Sequence, residues 1–218
     1  DQTNARAILG TVPVEPDGSA FFEAPVGMPI YFQALDAEGM AVQSMRSATY
    51  LHPGERLVCQ GCHERKHTAS ALIDRVPLAL QRSPSAIMPE PSGSNPFSFT
   101  ELVQPVLDRH CVDCHRDKEV VDLSGVIEGP RGFSRSYTNL AEKYGFYFDS
   151  SLGSLDRPGR GGARTDAGRF GARAARLMDF LGKEHYDVQL TDEERRRMIV
   201  WLDANSEFRG DYADYQEP

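Results

Sequence analysis

Two short stretches, Cys59-Gln60-Gly61-Cys62-His63 and Cys111-Val112-Asp113-Cys114-His115, repeat one pattern of two thiols followed by an imidazole. Two cysteines with two residues between them can each add to a vinyl group on one edge of a haem. The histidine that follows is then delivered beneath the ring, where its imidazole can bind iron. The two motifs use all 4 cysteines of the chain. A zinc ribbon needs its Cys-x-x-Cys pairs roughly 15–20 residues apart, and Cys62 and Cys111 lie much farther apart than that. A thioredoxin-like redox pair needs a strand–helix setting and no trailing histidine. A disulfide framework would not place its thiols only in tight pairs. The pattern implies two covalently bound haem c groups.

Candidate iron ligands follow from the same residues. For the second haem, His115 is the expected proximal ligand, with His185, Met178 and Met198 as candidates for the opposite side. Met178 and Met198 sit within helical apolar patterns, as core residues do. His185 follows Gly182-Lys183 and precedes Tyr186-Asp187-Val188, outside the helices, where a ligand loop belongs, so it is favoured. His110, directly before Cys111, is read as packing or hydrogen bonding near its own haem, with ligation of the other haem as the alternative. For the first haem, His63 is the expected proximal ligand. His67 stands at i+4 and shares a helix face with it, so the two cannot easily bind one iron from opposite sides. His67 as the ligand, and His67 as a surface residue beside Lys66, are the alternatives. His52 is a candidate for the sixth position unless it caps the Pro53-Gly54 turn, and Met88 is not favoured. With no sixth ligand, the first haem is open to NO, CO or peroxide.

The surrounding elements have to hold these residues. The chain has 218 residues, enough for one large or two small domains. Its 40% hydrophobic and 26% charged content describes a soluble globular protein with a core. A net charge of −8, deepened by haem propionates, argues against nucleic acid and suits a positively charged redox protein partner. No apolar run approaches the roughly 18 residues of a membrane span. No signal peptide is visible at Asp1. Because this type of haem attachment takes place outside the cytoplasmic membrane, the chain is expected to be processed, or a fragment, of periplasmic or otherwise exported origin.

Residues 8–14, 20–24, 28–35 and 41–50 read as short strands, with turns at Glu15-Pro16-Asp17-Gly18 and Asp36-Ala37-Glu38-Gly39. Such spacing suggests a small β-sandwich over residues 1–82, carrying the first haem. Residues 83–98, rich in Pro and Ser, read as a linker. Residues 99–218 read as a mainly α, cytochrome c-like domain carrying the second haem, so the fold class is α+β. Its first helix is expected over 97–115, with Thr100 able to cap. Its last is expected from the capping box at Thr191-Asp192-Glu193-Glu194 to about residue 205. Between them, residues 172–183 read as a helix, and Tyr144, Phe146, Tyr147 and Phe148 as a haem wall or interface.

The stretch GTVPVEPDGSAFFEAPVGMPIYFQALDAEGMAVQSMRS with PGERLVCQGCHE, and more weakly the rest of the chain, resembles the haem-binding middle domain and C-terminal cytochrome region of the hydrazine synthase alpha subunit family. The resemblance implies that the position of His63 can be drawn away to a zinc ion while a tyrosine four residues on ligates the iron. Here that tyrosine position holds His67, which places zinc at His63 in doubt and suggests a relative that does not itself form hydrazine. It also implies a histidine on the second haem in the context of His185. The favoured function is electron transfer by a dihaem c-type cytochrome between exported redox partners. The alternative is an oxidoreductase, or a subunit of one, acting on or binding a small nitrogen or oxygen species at an open first haem.

Overall fold

The computed structural model describes residues 7–45, 47–61, 74–116, 121–148, 160–161 and 166–210. Turn chemistry organises its N-terminal stretch. Gly18 takes φ +80°, and its N–H donates to Glu15 O at 2.8 Å, while Asp17 Oδ1 accepts the Ser19 N–H at 3.1 Å. Gly39, at φ +78°, closes the second turn with its N–H on Asp36 O at 3.0 Å. Four strands flank these turns: β1 (Pro29–Ile30), β2 (Gln33–Leu35), β3 (Ala41–Ser44) and β4 (Thr49–Tyr50). β1 pairs antiparallel with β4, and β2 antiparallel with β3. The expected sandwich is not assembled from the described residues. Each ladder has only two strands, and a sandwich needs two broader sheets face to face.

The chain forms two compact units. One comprises Leu9–Phe32 and Met45–Glu90; the other comprises Asp1–Ile8, Gln33–Ser44 and Pro91–Pro218. The division at 90/91 falls within the stretch 83–98. Met88 bridges Thr11 and Ser85 bridges Phe22 in the first unit, whereas Ser94 bridges Phe97 and Ser98 bridges Arg209 in the second. The hairpin Gln33–Ser44 differs from the expected division at residue 82, because it belongs with the C-terminal unit.

That unit is built on helices. Ser98, rather than Thr100, caps α1 (Phe99–Leu102) by accepting the Glu101 N–H; Thr100 Oγ1 hydrogen-bonds to the cap instead. Val103 breaks the expected single helix, and α2 (Gln104–His110) follows with Pro105 in its first turn, a position where proline loses no helical hydrogen bond. A short antiparallel hairpin, β5 (Ile127–Glu128) and β6 (Phe133–Ser134), leads into α3 (Arg135–Lys143), which is capped by Ser134. β7 (Tyr147–Phe148) runs parallel to β8 (Arg160–Gly161). The expected capping box is formed: Thr191 and Glu194 exchange bonds at the start of α4 (Asp192–Asp203).

The core joins α1, α2, α3 and α4. Phe99 and Trp201 are fully buried, with ring centroids 5.2 Å apart, and Phe99 also lies 5.3 Å from Tyr137. Trp201 satisfies its indole N–H on Glu207 O at 3.0 Å. Truncating a ring such as Trp201 would cost about 3–5 kcal/mol.

Residues 172–183 are not one helix. They form two 3₁₀ segments, Gly171–Arg173 and Arg176–Phe180, separated by an extended Ala175. A tertiary acceptor takes a backbone donor that a helix would use, Leu177 N–H going to Tyr144 O at 3.0 Å, while the N–H of Ala172 at the start goes to Asp203 Oδ1 at 2.8 Å.

Asp203 is the junction of this unit. Its other carboxylate oxygen accepts the Ala41 N–H at 2.9 Å, and its carbonyl accepts Gln33 Nε2 at 3.0 Å. Gly171, at φ +57°, has to be glycine, since a Cβ there would lie 2.1 Å from Asp203 Oδ1. Burial pushes the Asp203 carboxyl up to about 6, against the pull of its backbone donors and of Arg196 and Arg173. A raised folded-state pKa gives stability that is full below the unfolded value of 3.8 and is lost as pH rises through 6. Denaturation from about pH 4 to about pH 7 should therefore show the wild type losing roughly 2–3 kcal/mol relative to Asp203→Asn. Parallel profiles for the two proteins would show that this carboxyl titrates normally.

Candidate functional site

The second Cys-x-x-Cys-His motif begins where α2 ends. Cys111 caps the helix with its N–H on Leu107 O, and the turn continues with the Cys114 and His115 N–H groups on Cys111 O at 3.2 and 2.9 Å. Burial first, and the neighbouring Cys114 thiol second, push the Cys111 thiol up to about 11. Cys114 is exposed. The His115 ring is half-buried, and its Nδ1 lies 3.0 Å from Val121 O. A carbonyl can only accept, so Nδ1 carries the proton and Nε2 keeps the lone pair that a metal needs.

His185 comes to the same place from a turn far along the chain. Its N–H donates to Gly182 O at 3.0 Å, Asp187 N–H to Lys183 O at 3.1 Å, and Val188 N–H to His185 O at 3.1 Å. This tight path holds Tyr186 and Asp187 at φ +50° and +58°, a left-handed conformation uncommon outside glycine. The His115 and His185 ring centroids are 6.0 Å apart, with planes inclined by 32°. Two metal–imidazole bonds of about 2 Å plus the two half-rings span roughly 6 Å, so this pair fits one iron held between them. Phe180 stands edge-on to His185 at 5.3 Å, and Tyr144, one ring farther from His185, stands edge-on to Phe180 at 5.6 Å. Phe146 is instead buried in the core.

Other candidates are engaged elsewhere. His110 Nε2 lies 3.0 Å from Glu194 Oε1, which also accepts Arg109 Nη1 at 2.5 Å. The Thr191 backbone N–H, with help from His110, the Thr191 hydroxyl and Arg109, holds the Glu194 carboxyl down at about 2. Met198 is fully buried on α4, and Met178 is partly buried against the same core. Met88 is exposed at its bridge to Thr11. His52 sits in the Pro53-Gly54 turn: its N–H donates to Glu55 Oε2 at 2.9 Å, and its ring lies edge-on to Tyr50 at 5.3 Å. Of the first motif, Cys59 is exposed. Cys62, His63 and His67, and with them any zinc position at His63, lie outside the described residues.

Sequence reasoning missed the residues behind His115. Gln104, buried on the apolar face of α2, donates Nε2 to Leu123 O at 3.2 Å and to Asp108 Oδ1 at 2.8 Å. A glutamine among Leu102, Val103, Val106 and Leu107 was the available signal, since a buried amide needs partners.

Because His110 is tied to Glu194, His110→Ala should leave the spectrum of any haem the chain carries unchanged and lower stability by about 1–2 kcal/mol. Loss of a low-spin signal in that variant would place His110 on an iron.

Residues 1–64 match the family model of the hydrazine synthase alpha subunit middle domain. Hydrazine synthase subunit alpha of Kuenenia stuttgartiensis is 24% identical over an alignment 265 positions long, gaps included, that covers 93% of this chain and 33% of that protein. The solved structure of Kuenenia stuttgartiensis hydrazine synthase shares the fold, with a TM-score of 0.60 at 21% identity over 94% of this chain and 33% of that one. The chain thus spans about a third of the length of the relative it matches. The chain is thus similar to the hydrazine synthase alpha subunit in the sequence of its N-terminal end and in its fold.

Proposed function

We propose that the chain is a c-type cytochrome carrying two haem c groups, one on Cys59 and Cys62 and one on Cys111 and Cys114, and that it passes electrons between exported redox partners. The observation that carries this reading is the facing pair His115 and His185, 6.0 Å apart. Haem c supplies a one-electron couple at each position. His115 offers Nε2 with its other nitrogen already satisfied, and His185 offers a second imidazole. Two imidazoles saturate an iron, close it to substrates, and hold its potential lower than a His/Met pair would. That is an electron relay and not a reaction centre. The net charge of −8 favours a partner with a basic docking face.

A pyridine haemochrome assay on denatured protein should find two covalent haems per chain. His185→Ala should convert one of them from low-spin to a ligand-accessible form. An unchanged spectrum in that variant, or a sulfur-to-iron charge-transfer band, would remove His185 from the iron.

A second reading is favoured by the hydrazine synthase match over residues 1–64, which contains Cys59, Cys62 and His63. In it the first haem, ligated by His63 or His67, has an open position and binds or transforms a small nitrogen or oxygen species. A CO titration of the reduced protein separates the two readings. Electron transfer alone predicts no spectral change, whereas an open first haem predicts saturable binding at one site per chain.

A further inference from the structure

Four consecutive carbonyls in residues 121–124 each receive a hydrogen bond from elsewhere in the fold. Val121 O takes His115 Nδ1 at 3.0 Å, and Asp122 O takes Asn139 Nδ2 at 2.8 Å. Leu123 O takes Gln104 Nε2 at 3.2 Å, and Ser124 O takes the Ser136 N–H at 3.1 Å. The donors come from α2 and α3 as well as from the motif itself. The return path is closed by Leu123 N–H on His115 O at 2.9 Å. Gln104 is fixed in turn, since Ser136 Oγ donates to its Oε1 at 2.5 Å and Ser134 lies 2.8 Å from Ser136. Ser134 and Ser136 are fully buried and Gln104 nearly so. A buried polar chain of this kind persists only where every member is satisfied.

We propose that Gln104 and Asn139 are positioning residues for His115, acting through the 121–124 strip whose first carbonyl holds the imidazole. The proposal rests on His115 being an iron ligand. A ligating imidazole with its far N–H held by a carbonyl is a stronger donor and favours the oxidised iron. If the strip loosens, that hydrogen bond weakens, the ring donates less, and the reduced form gains. Neither Gln104 nor Asn139 touches the haem motif's own thiols or imidazole in the hydrogen-bond set above. Their effect on the iron therefore has to travel through the backbone carbonyl.

The test uses the full chain with its haems attached, as wild type, Asn139→Leu and Gln104→Leu. Asn139 is half-buried, so its isosteric apolar replacement folds even if the more buried Gln104 variant does not. Potentiometric titration should show the oxidised-to-reduced ratio of the second haem falling by roughly three- to tenfold at fixed ambient potential. Tenfold corresponds to about 59 mV for a one-electron couple. The first haem should titrate as before. A lowered melting temperature with the second haem's ratio and its ferric low-spin resonance unmoved would overturn the proposal and leave a purely structural network. Wild type and His115→Ala are run alongside. If His115→Ala leaves the second haem's spectrum intact, the ligand reading itself fails and the proposal falls with it. If His115→Ala changes that spectrum while Asn139→Leu does not shift the ratio, only the proposal fails.

Discussion

Burying a carboxylate is expensive unless donors meet it, and the C-terminal unit is arranged to meet one. Asp203, at the last turn of α4, is satisfied by backbone N–H groups from a hairpin near the chain's beginning and from the 3₁₀ turn at Gly171–Arg173. Neither donor is a side chain, so no single side-chain replacement supplies or removes them. The geometry has to bring the main chain itself to the carboxylate, and this is why Gly171 is bare and why the hairpin Gln33–Ser44 leaves its sequence neighbours for the other unit. The 3₁₀ turn also precedes the segment that leads through Phe180 to His185. A fixed Asp203 therefore fixes the start of the path on which the second imidazole travels.

The site uses the same logic with the polarity reversed. Around Asp203, main-chain donors converge on one side-chain acceptor. Behind His115, side-chain donors converge on main-chain acceptors, so that an irregular strip of chain becomes as well determined as a strand. An imidazole aimed at a metal needs this, because its orientation is only as firm as whatever holds its second nitrogen. Electron transfer asks for little nuclear rearrangement on changing charge. A ligand held through a hydrogen-bonded network anchored on two helices meets that requirement better than one on a mobile loop.

Much of this was legible in the sequence wherever the signal was local. The capping box at Thr191, the Pro-Asp-Gly turn and the Cys-x-x-Cys-His motif are all written within a few residues, and the two turns and the cap appear as read. His185 was singled out by its place between helical patterns, and it does lie beside His115. The misreadings share one cause. Residues 172–183 have helical periodicity, but Asp203 and Tyr144 claim their backbone donors, and nothing nearby announces either partner. The strands of residues 8–50 have β character, yet the unit to which the hairpin Gln33–Ser44 belongs depends on a contact more than a hundred residues away. Gln104 is easily overlooked because its face of α2 is otherwise apolar, and its partner Ser136 on α3 lies 32 residues away.

The bond between Ala41 and Asp203 spans 162 positions of the chain. During synthesis the hairpin Gln33–Ser44 emerges early and finds no stable home until α4 has been made. Until then it is a two-stranded ribbon whose Ala41 N–H lacks its acceptor on α4. The division into units crosses the chain at 8/9, 32/33, 44/45 and 90/91, so no single cut yields two self-sufficient pieces. Trimming the molecule after residue 90 to isolate its C-terminal half would strip a donor from a sequestered carboxylate. In this fold, order along the chain does not translate into modularity of assembly.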